Sequence, residues 1–569
     1  MHLLIRKVHF YFPSFLYKKK DGKGKRTKLG LRDAHSSDET RNCFHFTPVF
    51  CVVVVFRRAS RDNSCEDVKA GSTTDMLRFV MLLLILSLIV FALYWVWGWC
   101  VTSRLEPPEH PGRVPLIGHL HIFLGNSITL WNTAKELSYT SLRMGGVTSI
   151  YFGPRIVYVL TDPDDYLTVA NACLQKDSIY NIAKPWLGEG LITATLSKWK
   201  HHRKLLNPAF SHLVLHGFQG VFNSQSRRLV RDMASEAGKG PFDHWAYTRR
   251  NALETICLTA LGVDFCENSV LNSQYEHAAE QMLTVLVERF QKFWLSSDFI
   301  YNWSSLKKKQ ERCLEILHSM SNTIIKTRKA SYLSNKKNGL EASTGTKFKA
   351  FLDLLLELSI EKGAFNDLEI REQVDTMIVA GHDTSANVLM YTLVMIGSYP
   401  KVQERIFKEL YDIFGNDDRD VTKQDLSQLV YLEAVLKETM RVYTIVPMTA
   451  RWLDKNVKLK NYTLTAGRTC LMFAYGVHRH AMWGPDAEEF KPERWLDPAT
   501  LPQSPNAFAA FKMGRRNCYG KTYSYLSMKT TLAHLLRHYR VQADHNKMIL
   551  KVDVMLKPEC GHFISIEKR

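Results

Sequence analysis

The sequence Phe511-Lys-Met-Gly-Arg-Arg-Asn-Cys-Tyr-Gly520 places one cysteine in a short loop between two glycines. Gly514 and Gly520 permit a tight backbone path that a residue with a Cβ would obstruct. The ring of Phe511 can cover one side of the Cys518 sulfur. This pattern predicts a loop that presents the cysteine closely to a flat group.

Positive charge lies close to the cysteine in the sequence. The nearby cations are Arg515, Arg516 and Lys521. A helix is predicted from Lys521 to His538, and the amides at its N-terminus favour an anion. Cations and helix N-termini both stabilise a thiolate, the form of cysteine that binds metals. We therefore interpret Cys518 as a thiolate ligand, the alternative being a buried structural cysteine.

The spacing of the loop residues favours the first interpretation. Phe, Gly, Arg, Cys and Gly at relative positions 1, 4, 6, 8 and 10 resemble the haem-binding signature of the cytochrome P450 superfamily. The resemblance implies that Cys518 is the axial ligand of a haem iron. It also implies cofactor contacts from the other matching positions, which are Phe511, Gly514, Arg516 and Gly520.

A long helix is predicted upstream of this loop. Asn366 is a good N-cap with Glu369 three residues later, and the helical pattern continues to about Ser398. A helix of this length is able to cross a large domain.

The middle of that helix reads Ala380-Gly-His-Asp-Thr384 and resembles the oxygen-activating helix of the superfamily. The resemblance implies catalytic roles for three residues. Gly381 lets the macrocycle and dioxygen approach, Asp383 relays protons from solvent, and Thr384 offers a hydroxyl to bound dioxygen. The alternative is an Asp-Thr pair in a buried helix bend.

Family 4 of the superfamily often carries a glutamate at the position of Ala380, where that acid can esterify the haem. No carboxylate is available there in this sequence. We therefore expect haem b held by the thiolate, by packing and by salt bridges, without a covalent bond at the macrocycle edge.

Other residues are candidates for contact with the haem propionates. Trp199 and Arg203 lie four residues apart and would share one face of a helix, although a surface pair has the same spacing. The segment from Lys184 to Gly190 and the residues after Arg203 resemble family 4. The strand predicted at Pro447–Arg451 would lend Arg451 to a propionate.

A Glu-x-x-R pattern, Glu438-Thr-Met-Arg441, falls in a helix predicted from Tyr431 to Tyr443. With Arg494 it matches the Glu-Arg-Arg triad of the superfamily. We expect these three residues to have a structural role, because a buried hydrogen-bonded trio fixes the geometry of the cysteine loop.

Composition places the chain among globular proteins, with 46% hydrophobic and 23% charged residues in 569. The net charge is +19, and residues 1 to 75 hold 15 Lys and Arg against 8 Asp and Glu. No nucleic-acid-binding motif accompanies this charge, so it suits an anionic membrane surface or an acidic protein partner. The 11 cysteines show no paired framework, which indicates reduced thiols and a cytosol-facing body.

The N-terminal region is predicted to contain a basic extension, 1–75, followed by a transmembrane anchor, 76–103. Phe79 to Val101 is a run of 23 residues without a charge, long enough to span a bilayer. We interpret Met76 as the working start and 1–75 as a non-native extension. The alternative is a targeting region, against which its acidic residues argue.

The remaining chain is predicted to form a hinge, 104–118, and a catalytic domain, 119–569. Four prolines between Pro107 and Pro115 exclude a helix there. Val147 to Val159 carries a hairpin signal, helices dominate afterwards, and Ser331 to Lys347 is predicted to be a loop.

The resemblance covers the chain from about Leu105 to the C-terminus. It implies a mainly α fold with a small β region, a single membrane anchor, and an endoplasmic-reticulum location with the catalytic domain facing the cytosol. It also implies monooxygenation of a fatty acid-like or other lipophilic molecule, with electrons from an NADPH-dependent reductase and with cytochrome b5 as a second partner. The alternatives are a haem-thiolate isomerase or dehydratase, and a non-catalytic membrane haem protein.

Overall fold

A computed structural model describes residues 69–101, 106–263, 269–337 and 350–569, with the side chains of 69–75, 94–101 and 269–272 left out. The chain divides into two compact units, Met1–Leu82 and Leu83–Arg569. Of the first unit only the start of one helix is described. Most of the predicted extension, 1–75, therefore lies outside the described residues.

The second unit is mostly helical, as predicted. The α-helices are α1 (Lys69–Val101, which begins in the first unit), α2 (Ser127–Arg143), α3 (Pro163–Ala172), α4 (Lys184–Leu187), α5 (Leu196–Leu206), α6 (His212–Gly217), α7 (Gln219–Met233), α8 (Trp245–Ile256), α9 (Ser269–Gln291), α10 (Asp298–Asn302), α11 (Ser305–Lys337), α12 (Phe351–Ile360), α13 (Asp367–Ser398), α14 (Pro400–Phe414), α15 (Lys423–Gln428), α16 (Val430–Val442), α17 (Ala474–Val477) and α18 (Lys521–His538).

The β region is small and consists of short strands. They are β1 (Val147–Phe152), β2 (Arg155–Leu160), β3 (Met448–Trp452), β4 (Val457–Lys458), β5 (Thr463–Leu464), β6 (Thr469–Phe473), β7 (Tyr539–Gln542), β8 (Ile549–Asp553), β9 (Met555–Cys560) and β10 (Ser565–Lys568). The largest sheet has the order β1-β2-β6-β3, in which only β2 and β6 are parallel. Two-stranded sheets pair β10 with β7, β4 with β5, and β8 with β9.

The predicted hairpin is confirmed as β1 and β2. Both strands are rich in β-branched and aromatic residues, which favour a pleated, buried surface. Val147 pairs with Leu160 and Phe152 with Arg155, and Gly153 makes the turn with φ +57°. The positive φ explains why glycine stands at the turn.

The long helix predicted from Asn366 to Ser398 is also confirmed. Asn366 and Glu369 form a capping box, in which the Asn366 side chain accepts from the Glu369 amide at 2.8 Å. Residues on all sides of α13 are buried. A helix that is enclosed all round belongs to the centre of a large core.

The predicted loop at Ser331–Lys347 is wrong for its first part, because α11 continues to Lys337. The polar sequence is held as a helix by contacts with the end of α12. Tyr332 donates to Glu361 at 3.2 Å, and the Lys336 ammonium lies 3.1 Å from the same carboxylate. Residues 338–349 lie outside the described residues.

The N-terminal helix α1 carries the predicted apolar segment. Within the described part of the chain, Met76–Leu93 is the stretch long and apolar enough to cross a membrane, with a mean hydropathy of 2.8. Its side chains are exposed, as a lipid-facing helix requires. The helix begins at Lys69, ahead of Met76.

The proline-rich segment is not helical, as predicted, and it is attached to the sheet. The Ser149 hydroxyl donates to the Pro107 carbonyl and the Ser149 amide to the Pro108 carbonyl, both at 2.9 Å. These bonds to β1 add to the stiffness that the prolines give the segment.

Candidate functional site

The cysteine loop is closed by backbone hydrogen bonds. The Cys518 amide donates to the Phe511 carbonyl at 2.8 Å, and the Asn517 amide donates to the Gly514 carbonyl at 3.2 Å. Gly514 has φ +73°, and a Cβ on it would lie 2.9 Å from the Cβ of Ala170. Glycine is therefore required at this position for both conformation and space.

A side chain at Gly520 was predicted to obstruct the backbone, but the protein itself leaves room for one at this position. Its φ is −90°, and a Cβ would meet no atom of the protein within 4 Å. The space beside Gly520 is therefore available to another group. This open space is one of the observations that fit a bound cofactor.

The ionisation of Cys518 is subject to opposing effects. The residue is exposed, yet burial among surrounding groups is the largest effect on its thiol and raises the pKa. The Gly520 amide and the cations Lys512, Arg203 and Lys521 act in the opposite direction. The sequence predicted that Arg515, Arg516, Lys521 and the N-terminus of the following helix favour the thiolate. Because burial outweighs these cations, the thiolate requires a further positive group, such as a metal ion.

Four cations lie near the loop without acidic partners among the described residues: Arg451 and Arg516 are buried, and Lys176 and Lys512 are partly buried. Burial, and then repulsion from Arg451, lowers the pKa of Lys176 well below its usual value, that of Lys512 to about 7, and that of Arg516 to about 10. Arg451 Nε and Lys512 Nζ are buried without a hydrogen-bond partner among the described residues. The described residues form no ion pair with any of the four, so the cluster has unbalanced charge.

The predicted pair on α5 reaches the cysteine loop. The Arg516 guanidinium stacks over the ring of Trp199 at 4.6 Å, and the Arg203 guanidinium lies 4.4 Å from the ring centre of Tyr519. Trp199 is buried, and burial lowers the pKa of Arg203. The pair is therefore packed against the cysteine loop, as a contact with the haem propionates would require.

Arg516 also binds backbone carbonyl groups, which the sequence did not suggest. Its guanidinium donates to the carbonyl of Leu174 at 2.9 Å, and at longer distance to those of Leu191 and Ala194. These bonds tie the cysteine loop to the segment between α3 and α5. Arg516 is thus the member of the cation cluster that also stacks on Trp199.

These residues fit a haem. An exposed thiol is accessible as an axial ligand, and the unpaired cations match the propionate carboxylates of the macrocycle. The open space beside Gly520 is available to the flat ring. Sequence reasoning missed Lys176 and Lys512, because neither falls at a position of the motif that implies a role.

The middle of α13 is held by bonds within the helix. The Thr384 hydroxyl donates to the Ala380 carbonyl at 2.6 Å, and the Asn387 side chain donates to the Asp383 carbonyl at 2.6 Å. A Cβ on Gly381 would lie 2.7 Å from the Ile256 side chain. Close packing of α13 against α8 is therefore one physical reason for this glycine.

Asp383 is buried and faces a lysine that sequence reasoning missed. The Lys557 Nζ lies 2.9 Å from Asp383 Oδ2, and both side chains are almost fully enclosed. Burial acts to raise the pKa of Asp383, but the Lys557 ammonium opposes it, and the pKa lies below its usual value. No local pattern could have identified Lys557, since it lies far along the chain from Asp383, in strand β9.

The predicted Glu-Arg-Arg triad is assembled as expected. Glu438 Oε1 accepts from Arg441 at 2.8 Å and from Arg494 at 2.9 Å, and all three side chains are buried. Trp495 donates to Glu438 Oε2 at 2.9 Å. Arg441 also donates to the carbonyls of the 478–489 segment, so the trio fixes the chain upstream of the cysteine loop.

The fold and this site define a haem-thiolate protein, and comparison with known sequences places the chain in a family. Residues 107–563 match the family model described as Cytochrome P450, so the chain belongs to the cytochrome P450 family. It is a haem-thiolate monooxygenase. Haem bound through a cysteine thiolate supplies chemistry that favours O–O cleavage.

Curated relatives match most of the chain. Cytochrome P450 4V2 of Mus musculus is 32% identical over 472 residues, which cover 81% of this chain and 90% of the relative. Cytochrome P450 4c3 of Drosophila melanogaster is 32% identical over 469 residues, covering 79% and 88%. Cytochrome P450 4V2 of Homo sapiens is 30% identical over 489 residues, covering 82% and 92%. The predicted likeness to family 4 is confirmed.

Proposed function

We propose that this monooxygenase hydroxylates fatty acid-like or other lipophilic molecules at the endoplasmic-reticulum membrane, with its catalytic domain in the cytosol. The observation that carries the proposed mechanism is the acid and the hydroxyl at consecutive positions of α13, Asp383 and Thr384. The apolar helix Met76–Leu93 supports the substrate class, since a membrane-attached enzyme has access to molecules dissolved in lipid.

The proposed cofactor is haem b, with Cys518 as its axial ligand. Phe511, Gly514 and Gly520 shape the loop around the macrocycle. The propionates are assigned to cationic and indole groups near the loop, which are Trp199, Arg203, Arg451, Arg516 and, in addition, Lys176. Ala380 offers no carboxylate for an ester bond, which supports non-covalent binding.

Proton movement is assigned to side chains on α13. The Asp383 carboxylate accepts a proton from water and releases it toward Thr384. The Thr384 hydroxyl donates its own hydrogen to the Ala380 carbonyl, yet its oxygen keeps lone pairs that accept another hydrogen bond. Gly381 leaves this part of the helix without a side chain that would restrict access.

The proposed electron donor is an NADPH-dependent P450 reductase, with cytochrome b5 as a second partner. Arg515 and Lys521 are exposed on the cysteine loop and at the start of α18. Exposed cations next to the ligand suit an acidic protein surface. Neutralising both residues should raise the reductase concentration needed for half-maximal turnover.

The proposed function is tested with the full chain in vesicles containing reductase and NADPH. A panel of fatty acids, hydrocarbons and terpenoids is offered, and the products are analysed by mass spectrometry. We expect oxygenated, terminally hydroxylated lipid from the native protein. Cys518→Ala should give no product, whereas Cys560→Ala, a change at another exposed cysteine, should leave product formation intact.

The results separate the parts of the proposal. An intact thiolate haem that yields no oxygenated product from any of these molecules would refute the lipid assignment. Product formation by Cys518→Ala would refute the ligand role of Cys518. Recovery of the protein outside microsomal membranes, or protection of its catalytic domain from added protease, would refute the proposed location and orientation.

A further inference from the structure

The ion pair between Asp383 and Lys557 joins two distant parts of the chain at the centre of the core. Asp383 lies on α13, and Lys557 lies on β9 in the C-terminal hairpin. Their charged atoms are 2.9 Å apart, and the side chains are only 4% and 2% exposed. Such complete burial is rare for a lysine unless its charge is paired.

The geometry leaves the carboxylate partly free. The 2.9 Å separation is that of a contact ion pair. Apart from Lys557, no group among the described residues donates a hydrogen bond to Oδ1 or Oδ2 of Asp383. A carboxylate that is held by charge but retains open lone pairs is able to accept a proton.

Other groups around the pair do not replace the lysine. Trp245 on α8 lies 5.6 Å from the Lys557 ammonium, and Arg249 on the same helix is bonded to Glu280 at 3.0 Å. His382 is neutral, because burial lowers its pKa to about 3. Tyr275 on α9 is buried and uncharged, since burial raises its pKa. Lys557 is thus the cation in contact with Asp383.

The hairpin holds Lys557 in place. β8 and β9 pair in antiparallel register, with Lys551 opposite Lys557. The Leu556 amide donates to the Ile445 carbonyl at 2.7 Å, which attaches the hairpin to the segment before β3. The position of the ammonium is therefore set by the backbone rather than by a mobile loop.

We propose that Lys557 is a positioning residue that keeps Asp383 ionised and oriented for proton delivery. This inference rests on the proposed role of Asp383. A buried carboxylate without its cation is strongly disfavoured, so removal of Lys557 leaves Asp383 protonated and unable to accept a proton. Lys557 keeps its own protons throughout. The transferred proton comes from water, resides on the Asp383 carboxyl, and leaves toward Thr384.

The test uses the full chain loaded with haem and compares Lys557→Met, Lys557→Arg, Asp383→Asn and the double variant of Lys557→Met with Asp383→Asn. Lys529→Met is the matched control, because Lys529 is also buried and lies 3.0 Å from Glu433. The activity readout is product formed per NADPH consumed. Infrared difference spectroscopy of the protonated carboxyl stretch supplies a readout independent of turnover.

We expect Lys557→Met to lower product per NADPH by roughly tenfold or more, as loss of a positioned proton transfer would. It should gain a protonated carboxyl band at neutral pH that the double variant lacks. Lys557→Arg should keep most of the coupling, and the double variant should be no worse than Asp383→Asn, because both changes act on one step. Lys529→Met should leave the coupling unchanged.

Two results would overturn the inference in different ways. If Asp383→Asn loses coupling but Lys557→Met keeps native coupling and shows no new carboxyl band, Asp383 works without Lys557. If Asp383→Asn itself keeps native coupling, the proposed role of Asp383 fails, and the role of Lys557 fails with it. If neither the native protein nor any variant forms product, the infrared carboxyl band still decides the question: its absence from Lys557→Met would show that Lys557 does not hold Asp383 ionised.

Discussion

The backbone amide of Ala509 donates a hydrogen bond to Nε2 of His478 at 2.9 Å. Because Nε2 is the acceptor, the ring proton lies on Nδ1, which donates to the Thr444 hydroxyl at 2.7 Å. Burial lowers the pKa of His478 well below its usual value, so the ring is neutral. One imidazole therefore joins the end of α16 to the chain that leads into the cysteine loop.

Replacing His478 by phenylalanine removes both bonds, so the buried Ala509 amide loses its acceptor, while the Thr444 hydroxyl keeps its bond to the Arg441 carbonyl at 3.2 Å. We expect the free energy of unfolding to fall by about 1–3 kcal/mol. The loop should also be less able to hold the thiolate on the iron. Urea unfolding measures the first effect, and the ferrous carbon monoxide spectrum measures the fraction of intact thiolate haem.

His480→Phe is the matched control. His480 is two positions further on and partly exposed, and its Nδ1 accepts only from the Met482 amide at 3.3 Å. Its loss should cost less than about 1 kcal/mol. Equal effects of the two substitutions would show that His478 has no special role in the loop.

The buried triad gives a second prediction. Glu438→Gln removes the carboxylate that faces both Arg441 and Arg494. Arg441 is then buried without an acidic partner among the described residues, and Arg494 keeps only the longer contact with Asp486 at 3.4 Å. We expect a loss of about 3–5 kcal/mol in the free energy of unfolding. Thermal and urea unfolding of the haem-loaded protein would measure it.

Glu433→Gln provides the comparison on the same helix. Glu433 pairs with Lys437 and Lys529, but its side chain is 35% exposed, so solvent compensates for the lost charge. Its substitution should cost about 1 kcal/mol or less. A loss for Glu438→Gln as small as that for Glu433→Gln would contradict a structural role for the triad.

The features that the sequence predicted well are local in the chain. The capping box of Asn366 and Glu369 and the hairpin turn at Gly153 depend on neighbouring residues, so a pattern is sufficient. The axial role proposed for Cys518 likewise rests on a motif of ten consecutive residues. The Glu438 trio was found because a known pattern linked its distant members.

The contacts that sequence reasoning missed join residues far apart in the chain. Lys557 reaches Asp383 only because β9 packs near α13, and Lys176 faces Arg451 only because an extended segment bridges to β3. A lysine in a strand or after a helix normally indicates an exposed position. Tertiary packing, rather than local preference, determines these contacts.

Asp375 gives a pH-dependent prediction. Burial raises the pKa of this carboxyl to about 7, although the Ser321 hydroxyl donates to it. The folded protein therefore binds more protons than the unfolded chain between about pH 4 and pH 7. The contribution of Asp375 to stability falls as the pH rises through this window and is constant above it, where both states are ionised.

Asp375→Asn should remove this dependence, because an amide resembles the protonated acid. The difference in unfolding free energy, native minus variant, should fall by up to about 1.4 kcal/mol per pH unit within the window. Urea unfolding at several pH values measures it. His318, 3.8 Å away, also titrates, so the comparison is repeated with His318→Gln; parallel curves in both backgrounds would contradict the raised pKa.

The cation cluster predicts that one substitution has opposite effects on the haem-free and haem-loaded proteins. Without haem, the charged form of Lys176 is disfavoured by burial and by repulsion from Arg451 and Arg516. Lys176→Met should therefore raise the melting temperature of the haem-free protein. With haem bound, the same change removes a partner of the propionates and should speed haem loss to a scavenging apoprotein.

Lys458→Met, at an exposed strand position, should change neither the melting temperature nor the rate of haem loss. If Lys176→Met destabilised the haem-free protein and left haem loss unchanged, the cluster would be part of the core rather than a site for an anionic group.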